Sequence, residues 1–262
     1  MTTQTRIQRI FATLLTLLAL TAHSEDKQVS IAVGSWPPFL SQEQQHDGYV
    51  AHLIRDVFES QGYQVSIQFM PWERAYREAA AGQHDATAVW MDKEERRLDF
   101  WYSDPVLSET FVFFHRSSEP FDWQNYSDLS DLTLGGGISY SYGEAMDQAI
   151  QDGTITLQRV STTLQNFNRL AAGYIDAFPE EMSVGYFNLR QLPHVYDEIR
   201  HHSKPILQNN SFVLFPRGEA KSQQLRKDFN QGLQKFRDSG RYQNYYNNFN
   251  AGRYDLKPNS GQ

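Results

Sequence analysis

Two adjacent arginines, Arg96 and Arg97, follow the charged run Asp92-Lys93-Glu94-Glu95 at the end of a short apolar stretch, Ala86 to Trp90. A guanidinium at such a strand-to-helix junction can grip a carboxylate through two parallel N–H donors, which the point charge of a lysine cannot match. Arg96 is therefore the first candidate for an anion anchor. The alternative is pairing with Glu94 or Glu95 on a solvated surface, since exposed ion pairs are common and weak. Trp36, beside Pro37-Pro38, and Trp72, after Pro71, could shape a pocket around an organic ligand, or each could be a core aromatic. Glu180 and Glu181 form an acid pair that could lie on the surface or carry protons in general acid–base work. Gly135-Gly136-Gly137 lacks the Lys-Ser/Thr of a nucleotide loop, so it reads as a turn offering backbone N–H groups, with the Ser141 hydroxyl, to a ligand carboxylate. His194, His201 and His202 show neither helical i, i+4 pairing nor a matching carboxylate, and read as a solvated loop rather than a metal site.

The elements that must position these residues follow from periodicity. Val29 to Val33 reads as a strand stopped by Gly34, and Gln64 to Phe69 alternates Val65, Ile67 and Phe69 on one face. Between them, Val50, Leu53, Ile54, Val57 and Phe58 recur at helical spacing, with Gly62 where a helix ends. A short helix over Glu73 to Ala81 leads to a third strand, Asp85 to Trp90, and a fourth covers Thr110 to Phe114. The alternation then repeats: strand Leu132 to Gly135, helix Tyr142 to Gln151, strand Thr156 to Val160, helix Thr163 to Ala172 and strand Tyr174 to Phe178. A strand at Ser211 to Phe215 and helices at Ala220 to Asp238 and Tyr242 to Asn248 close the chain. Strands alternating with crossover helices predict an α/β fold of two lobes, each a mainly parallel sheet flanked by helices, with the ligand cleft between them. The expected boundaries are 25–115 for the first part of lobe 1, 116–209 for lobe 2, and 210–262 for the return to lobe 1 and the terminal helices.

Residues 1–24 read as a secretory signal peptide: Arg6 and Arg9, then an apolar core from Ile10 to Leu20, then Ala22 and Ser24 ahead of a cut near Ser24. The apolar run is well short of the roughly 20 residues a membrane span needs, and no cysteine stands near the cut to carry a lipid. Loss of the two leader arginines takes the net charge from −7 to −9, which disfavours nucleic acid and anionic membranes as partners. With 0 cysteines, disulfides, thiol catalysis and thiolate metal sites are excluded. The 14 Tyr, 17 Phe and 5 Trp exceed what a core demands and suit a pocket for an amino acid, amine or sugar-like ligand.

Five short motifs in order resemble the family 3 extracellular solute-binding proteins, the periplasmic receptors that deliver polar amino acids to ABC transporters. They are Trp36-Pro37-Pro38-Phe39, Gly82-Gln83-His84-Asp85-Ala86, Glu94-Glu95-Arg96 followed by Tyr102-Ser103-Asp104-Pro105, Gly173-Tyr174-Ile175-Asp176-Ala177, and Asp238-Ser239-Gly240-Arg241-Tyr242. The resemblance covers the whole mature chain and implies the type II periplasmic-binding-protein fold. It implies that Arg96 binds the ligand's α-carboxylate with help from Ser141, that Glu181 binds the α-ammonium, that Trp36 stacks on the ligand and that Trp72 lines the pocket. Met91 and Lys93 stand where the family usually carries Ser or Thr, with Met91 taken as a ligand contact. Glu181 replaces the usual Asp.

The expected function is capture of a small polar, amino-acid-like solute in the periplasm by a monomer that hands it to an inner-membrane permease, without a cofactor or metal. The alternatives are an enzyme on the same fold, resembling dehydratases of prephenate-like acids, and a periplasmic sensor module. A sensor usually continues into a membrane helix, whereas this sequence ends at Gln262 after a polar tail.

Overall fold

The computed structural model describes residues 27–138 and 140–255. The signal-peptide reading falls on residues outside this range. Strand β1 (Gln28–Val33) pairs in parallel with β2 (Gln64–Phe69) from Gln28↔Gln64 to Val33↔Phe69, and with β3 (Ala86–Met91) through Ile31↔Ala86 and Ala32↔Thr87. The connections are helices α1 (Tyr49–Glu59) and α2 (Trp72–Ala80). In α1 the expected stripe, Val50, Leu53, Ile54, Val57 and Phe58, is buried against the sheet, because residues three and four apart share one helical face. Beyond β3 come a single-turn helix, α3 (Arg96–Asp99), and a short strand, β4 (Phe100–Tyr102). The helix expected at the junction after β3 is thus a single turn, and β4 is too short to show an alternation of its own.

Strand β5 (Leu107–Arg116) is twice the length of the expected Thr110 to Phe114. Its first residues pair antiparallel with β10 (Leu207–Pro216), from Leu107↔Ser211 to Phe111↔Leu207. Its last residues pair with β8 (Ala177–Glu181), from Phe111↔Glu181 to His115↔Ala177, and with β9 (Ile199–His201). Strand β10 in turn continues past β5 to pair with β3 and β4. With β6 (Leu134–Gly137) and β7 (Leu157–Val160), the two long strands therefore carry one continuous sheet, ordered β2-β1-β3-β10-β5-β8-β6-β7, from one half of the molecule to the other.

The second half repeats the parallel pattern. Strand β6 (Leu134–Gly137) pairs with β7 (Leu157–Val160) and with β8, and helices α4 (Glu144–Gln151), α5 (Thr163–Ala171) and α6 (Met182–Leu189) flank it. The expected strand Tyr174 to Phe178 begins only at Ala177, with Tyr174 exposed in the turn before it. The chain closes with α7 (Ser222–Asp238) and α8 (Arg241–Asn250) back on the first half. The core of the first half is largely aliphatic, built on Ile31, Val33, Leu53, Ile54 and Val213. The second half packs two phenylalanine-rich clusters on opposite faces of β5, because Phe111 and Phe113 alternate with Val112 and Phe114 along the strand.

One glycine ties the fold to the site. A Cβ on Gly34 would lie 2.1 Å from the Trp72 indole, so only glycine lets that ring lie against the end of β1. Gly34→Ala is expected to lower stability by about 1–3 kcal/mol through overpacking and to displace Trp72. Thermal melting together with tryptophan fluorescence checks this; unchanged emission would show that the ring does not depend on this contact.

Candidate functional site

A cavity of about 220 Å³ opens where the two long strands meet. The first half contributes Trp36, Trp72, Trp90, Met91 and Arg96, the crossing strands contribute Glu109 and Ser211, and the second half contributes Tyr140 and Ser141. Five of the six residues expected at a ligand site, Arg96, Trp36, Trp72, Ser141 and Met91, thus meet on one cavity; Glu181 does not.

The two arginines separate cleanly. Arg97 pairs with Asp92, its Nε donating at 2.9 Å and its Nη2 making a second contact, and its guanidinium lies 4.9 Å from the centre of the Tyr102 ring. Arg96 has no ion-pair partner among the described residues. Its Nη1 donates to the Met91 carbonyl at 2.8 Å and its guanidinium sits 4.8 Å from the centre of the Trp90 ring. The carbonyl and the indole hold the fork in place without neutralising it, leaving its remaining N–H donors for an anion.

Three consecutive residues, Val89, Trp90 and Met91, line the cavity, which a regular strand with alternating faces cannot arrange. The register explains it. Phe212 pairs with Trp90 and Val213 with Ala88, so Val89 is an extra residue in β3, and its φ is +64°. A β-branched residue at positive φ stores roughly 1–3 kcal/mol of strain. The bulge re-aims Trp90 beside Trp72, with ring centres 5.1 Å apart and planes at 85°, and Trp90 Nε1 donates to Thr87 Oγ1 at 2.7 Å. Trp72 Nε1 donates to the Ser35 carbonyl at 3.3 Å. Trp36 is turned inward by a tight loop in which its N–H bonds the Leu40 carbonyl at 2.7 Å.

Ser141 lines the cavity, but its hydroxyl donates to Asp147, which also accepts the Tyr142 N–H at 2.9 Å. The expected glycine turn is also corrected. Gly135 to Gly137 are strand β6, paired with Gln158 to Val160, and the Gly137 N–H donates to the Tyr142 hydroxyl at 2.7 Å. These glycines answer to packing: a Cβ on Gly135 would strike Ile175 and Asn166.

The acid pair divides between two further cavities. Glu180 lines one of about 500 Å³, shared with Trp36, Tyr140, Thr163 and Asn166. Its Oε2 accepts from Thr163 Oγ1 at 2.7 Å and its Oε1 from the Glu181 N–H at 2.9 Å. Glu181 points to the other face, onto a cavity of about 280 Å³ with Tyr49, Tyr242 and Tyr246. There Glu181 caps α6, its Oε2 accepting the Val184 N–H at 2.9 Å and its Oε1 facing the Thr110 N–H at 3.5 Å. Successive strand residues face opposite sides, so the neighbour expected to meet the ligand beside Arg96 is turned away from it. Burial pushes the Glu180 carboxyl up to about 7 and the Glu181 carboxyl up to about 8, with hydrogen bonds from Thr163 and from the Val184 N–H pulling the other way. His201 is bonded through Nδ1 to the Tyr186 hydroxyl at 2.6 Å and His202 lies 3.3 Å from Asp122. Among the described residues no cluster of three His, Asp or Glu is arranged to hold a metal ion.

Trp90, Glu109, Tyr140 and Ser211 were not among the residues expected at the site. A signal existed for Glu109, an acid at an inward position between Leu107 and Phe111, but the expected strand began one residue too late to include it. Trp90 and Ser211 depend on the bulge and on the strand crossing, which leave no local mark.

A carboxyl raised by folding gives stability that is complete below the unfolded value near 4.5 and is lost as pH rises through about 7. Glu180→Gln, which keeps an acceptor for the Glu181 N–H and lets Thr163 become the acceptor for its amide, removes this dependence. The melting temperature of the wild type is expected to fall relative to that of E180Q between pH 5 and pH 8. Parallel profiles would place the ordinary carboxylate value on Glu180.

No curated protein sequence matches the chain. Among solved structures, an ancestral arginine-binding protein bound to arginine is 16% identical with a TM-score of 0.68, over 84% of this chain and 97% of that one. The second substrate-binding domain of GlnP from Lactococcus lactis, in an open conformation, is 19% identical with a TM-score of 0.65, over 90% and 98%. A histidine kinase sensor domain similar to periplasmic binding proteins is 20% identical with a TM-score of 0.67, over 85% and 96%. At these identities the likeness is one of fold, the type II periplasmic-binding-protein fold expected from the sequence. The model of the bacterial extracellular solute-binding proteins, family 3, matches residues 29–252, and the chain belongs to that family.

Proposed function

We propose that this protein is a periplasmic substrate-binding protein that takes a small, carboxylate-bearing, amino-acid-like solute into the 220 Å³ cavity and hands it to an ABC transporter permease. The observation that carries this reading is Arg96, a guanidinium without an acidic partner, held by a carbonyl and an indole and lining a cavity with two other tryptophans. Such a fork binds a carboxylate bidentately, and the indole faces exclude water and strengthen the contact. The substrate binding protein of an amino acid ABC transporter, 18% identical with a TM-score of 0.63 over 83% of this chain and 96% of that one, is a transporter component by its own description, and the likeness in fold is consistent with the same use here.

In this reading residues 25–115 and 210–262 form one lobe and 116–209 the other, closing over the solute about the paired segments of β5 and β10. The 24-residue leader exports the chain and is removed near Ser24. Trp36 and Trp72 shape the solute's apolar contact, while Ser141 contributes its oxygen and Met91 its carbonyl's hold on Arg96. Glu181 serves as a helix cap in place of an ammonium ligand. The protein works as a monomer without chemistry on the solute.

One observation favours a second reading, an enzyme resembling dehydratases: Glu180, with a carboxyl raised to about 7, adjoins a large cavity and could deliver a proton. Calorimetry over amino acids, opines, amines and small organic acids, with mass analysis of the recovered ligand, separates the two. Binding with the ligand returned unchanged is expected. Arg96→Ala should abolish the heat of binding while lowering the melting temperature by only a few degrees, since it loses one hydrogen bond and one cation–π contact worth about 1–2 kcal/mol together. A variant that binds normally would remove Arg96 as the anchor.

A further inference from the structure

The cavity at the crossing strands holds a second acidic group that, among the described residues, no opposite charge pairs with. Glu109 stands on β5 opposite Asn209, on the face shared with Leu107 and Phe111, and lines the same cavity as Arg96. It is only 1% exposed, yet neither carboxylate oxygen has a hydrogen-bond partner, and it forms no ion pair among the described residues. Trp36 Nε1 and Ser211 Oγ, on the same cavity, are also buried and unpartnered. Four of the nine buried side-chain polar atoms left without partners among the described residues therefore surround this one space. Buried polar groups in folded proteins are almost always satisfied, so such a concentration marks groups waiting for a partner that is not part of the chain.

The surroundings decide the sign of that partner. The ionisable neighbours whose charged forms Glu109 disfavours are Glu181 and Tyr49, both anionic when ionised. Arg96 and Lys93 line the same cavity without coming into ion-pair contact with Glu109. A guanidinium and a carboxylate thus share one small space without pairing with each other, which leaves room between them for a molecule carrying both opposite charges.

Building on the reading of Arg96 as the carboxylate anchor, we propose that Glu109 is the residue that selects the ligand's cationic nitrogen, so that the solute is a zwitterion and its nitrogen is read from the crossing strand. Burial raises the Glu109 carboxyl, opposed by the nearby Ser211 hydroxyl and Asn209 amide, and a cation held against it would offset that rise by its opposite charge. Trp36, Trp72 and Trp90 then enclose the uncharged body of the solute between the two poles.

The test is calorimetry of the wild type, Glu109→Gln and Arg96→Ala with the standard L-amino acids and 4-aminobutanoate. Each is measured against the acid of the same skeleton carrying a hydroxyl in place of the amine. The wild type is expected to favour the amine over the hydroxy acid at least tenfold, E109Q to lose that preference, and R96A to bind neither. Because Gln removes a buried unpaired charge, E109Q should melt no lower than the wild type at pH 7, which separates loss of recognition from loss of folding. If R96A abolishes binding while E109Q keeps the full preference, or the wild type binds both members of a pair equally, the carboxylate anchor stands and the role of Glu109 is overturned. If no probe binds the wild type, both readings fall.

Discussion

The antiparallel pairing of β5 with β10, from Leu107↔Ser211 to Phe111↔Leu207, is the constraint on which the rest of this structure depends. Each strand is ten residues long, and each leaves the pairing to enter a different half. The sheet therefore never breaks between the halves, and the backbone groups at the junction are satisfied by one another instead of by water. That frees the junction to be narrow and to carry side chains from both halves on its faces. Glu109 and Ser211 sit on it, and Arg96, Trp36 and Tyr140 are brought against it from either side.

Holding those groups requires departures from regular structure, and they occur close to the cavity. The extra residue in β3 puts Val89 at positive φ and turns three successive side chains to one side. Gly34 allows the Trp72 ring to press on the end of β1 at a distance no Cβ would permit. The two effects produce the perpendicular contact of Trp72 with Trp90, and Trp90 in turn supports Arg96. Strain in one strand thus fixes the aim of a charged group two side chains away, and the well-packed core beneath, from Ile31 to Val213, supplies the stability that offsets it.

The acids show how little burial alone says about role. Glu109, Glu180 and Glu181 are all at most 3% exposed, and burial raises all three carboxyls. Glu181 is satisfied by the backbone N–H of Val184 in α6 and faces that of Thr110, Glu180 by a threonine hydroxyl and a backbone N–H, and Glu109 has only the nearby Ser211 hydroxyl and Asn209 amide, neither in ordinary hydrogen-bond geometry. Their partners differ because they face three different spaces, and the facing follows from strand alternation on β8 and from the crossing on β5.

Much of the fold was legible in the sequence. The helices α1, α5 and α7 follow from apolar spacing, the strands β1 and β2 from alternation, and the repeated strand–helix order implies two α/β halves, since these are local consequences of 3.6- and 2-residue periods. Arg96 was singled out over Arg97 by its place in a motif, and the structure distinguishes them by giving the acidic partner to Arg97 alone. Glu109 escaped because the expected strand began one residue after it, and Trp90 and Ser211 were invisible because their position in the cavity depends on a bulge and a crossing between segments distant in the chain. The facing of Glu180 and Glu181 was undecidable for the same reason: neighbours in sequence take opposite sides of a strand, and only the sheet's register says which side is the site. The sequence alone determined the elements and the family resemblance, and it set Arg96 apart from Arg97, because those rest on local pattern. Which charges share the cavity of Arg96 was decided only by tertiary pairing, because a side chain's neighbours across a sheet belong to other strands.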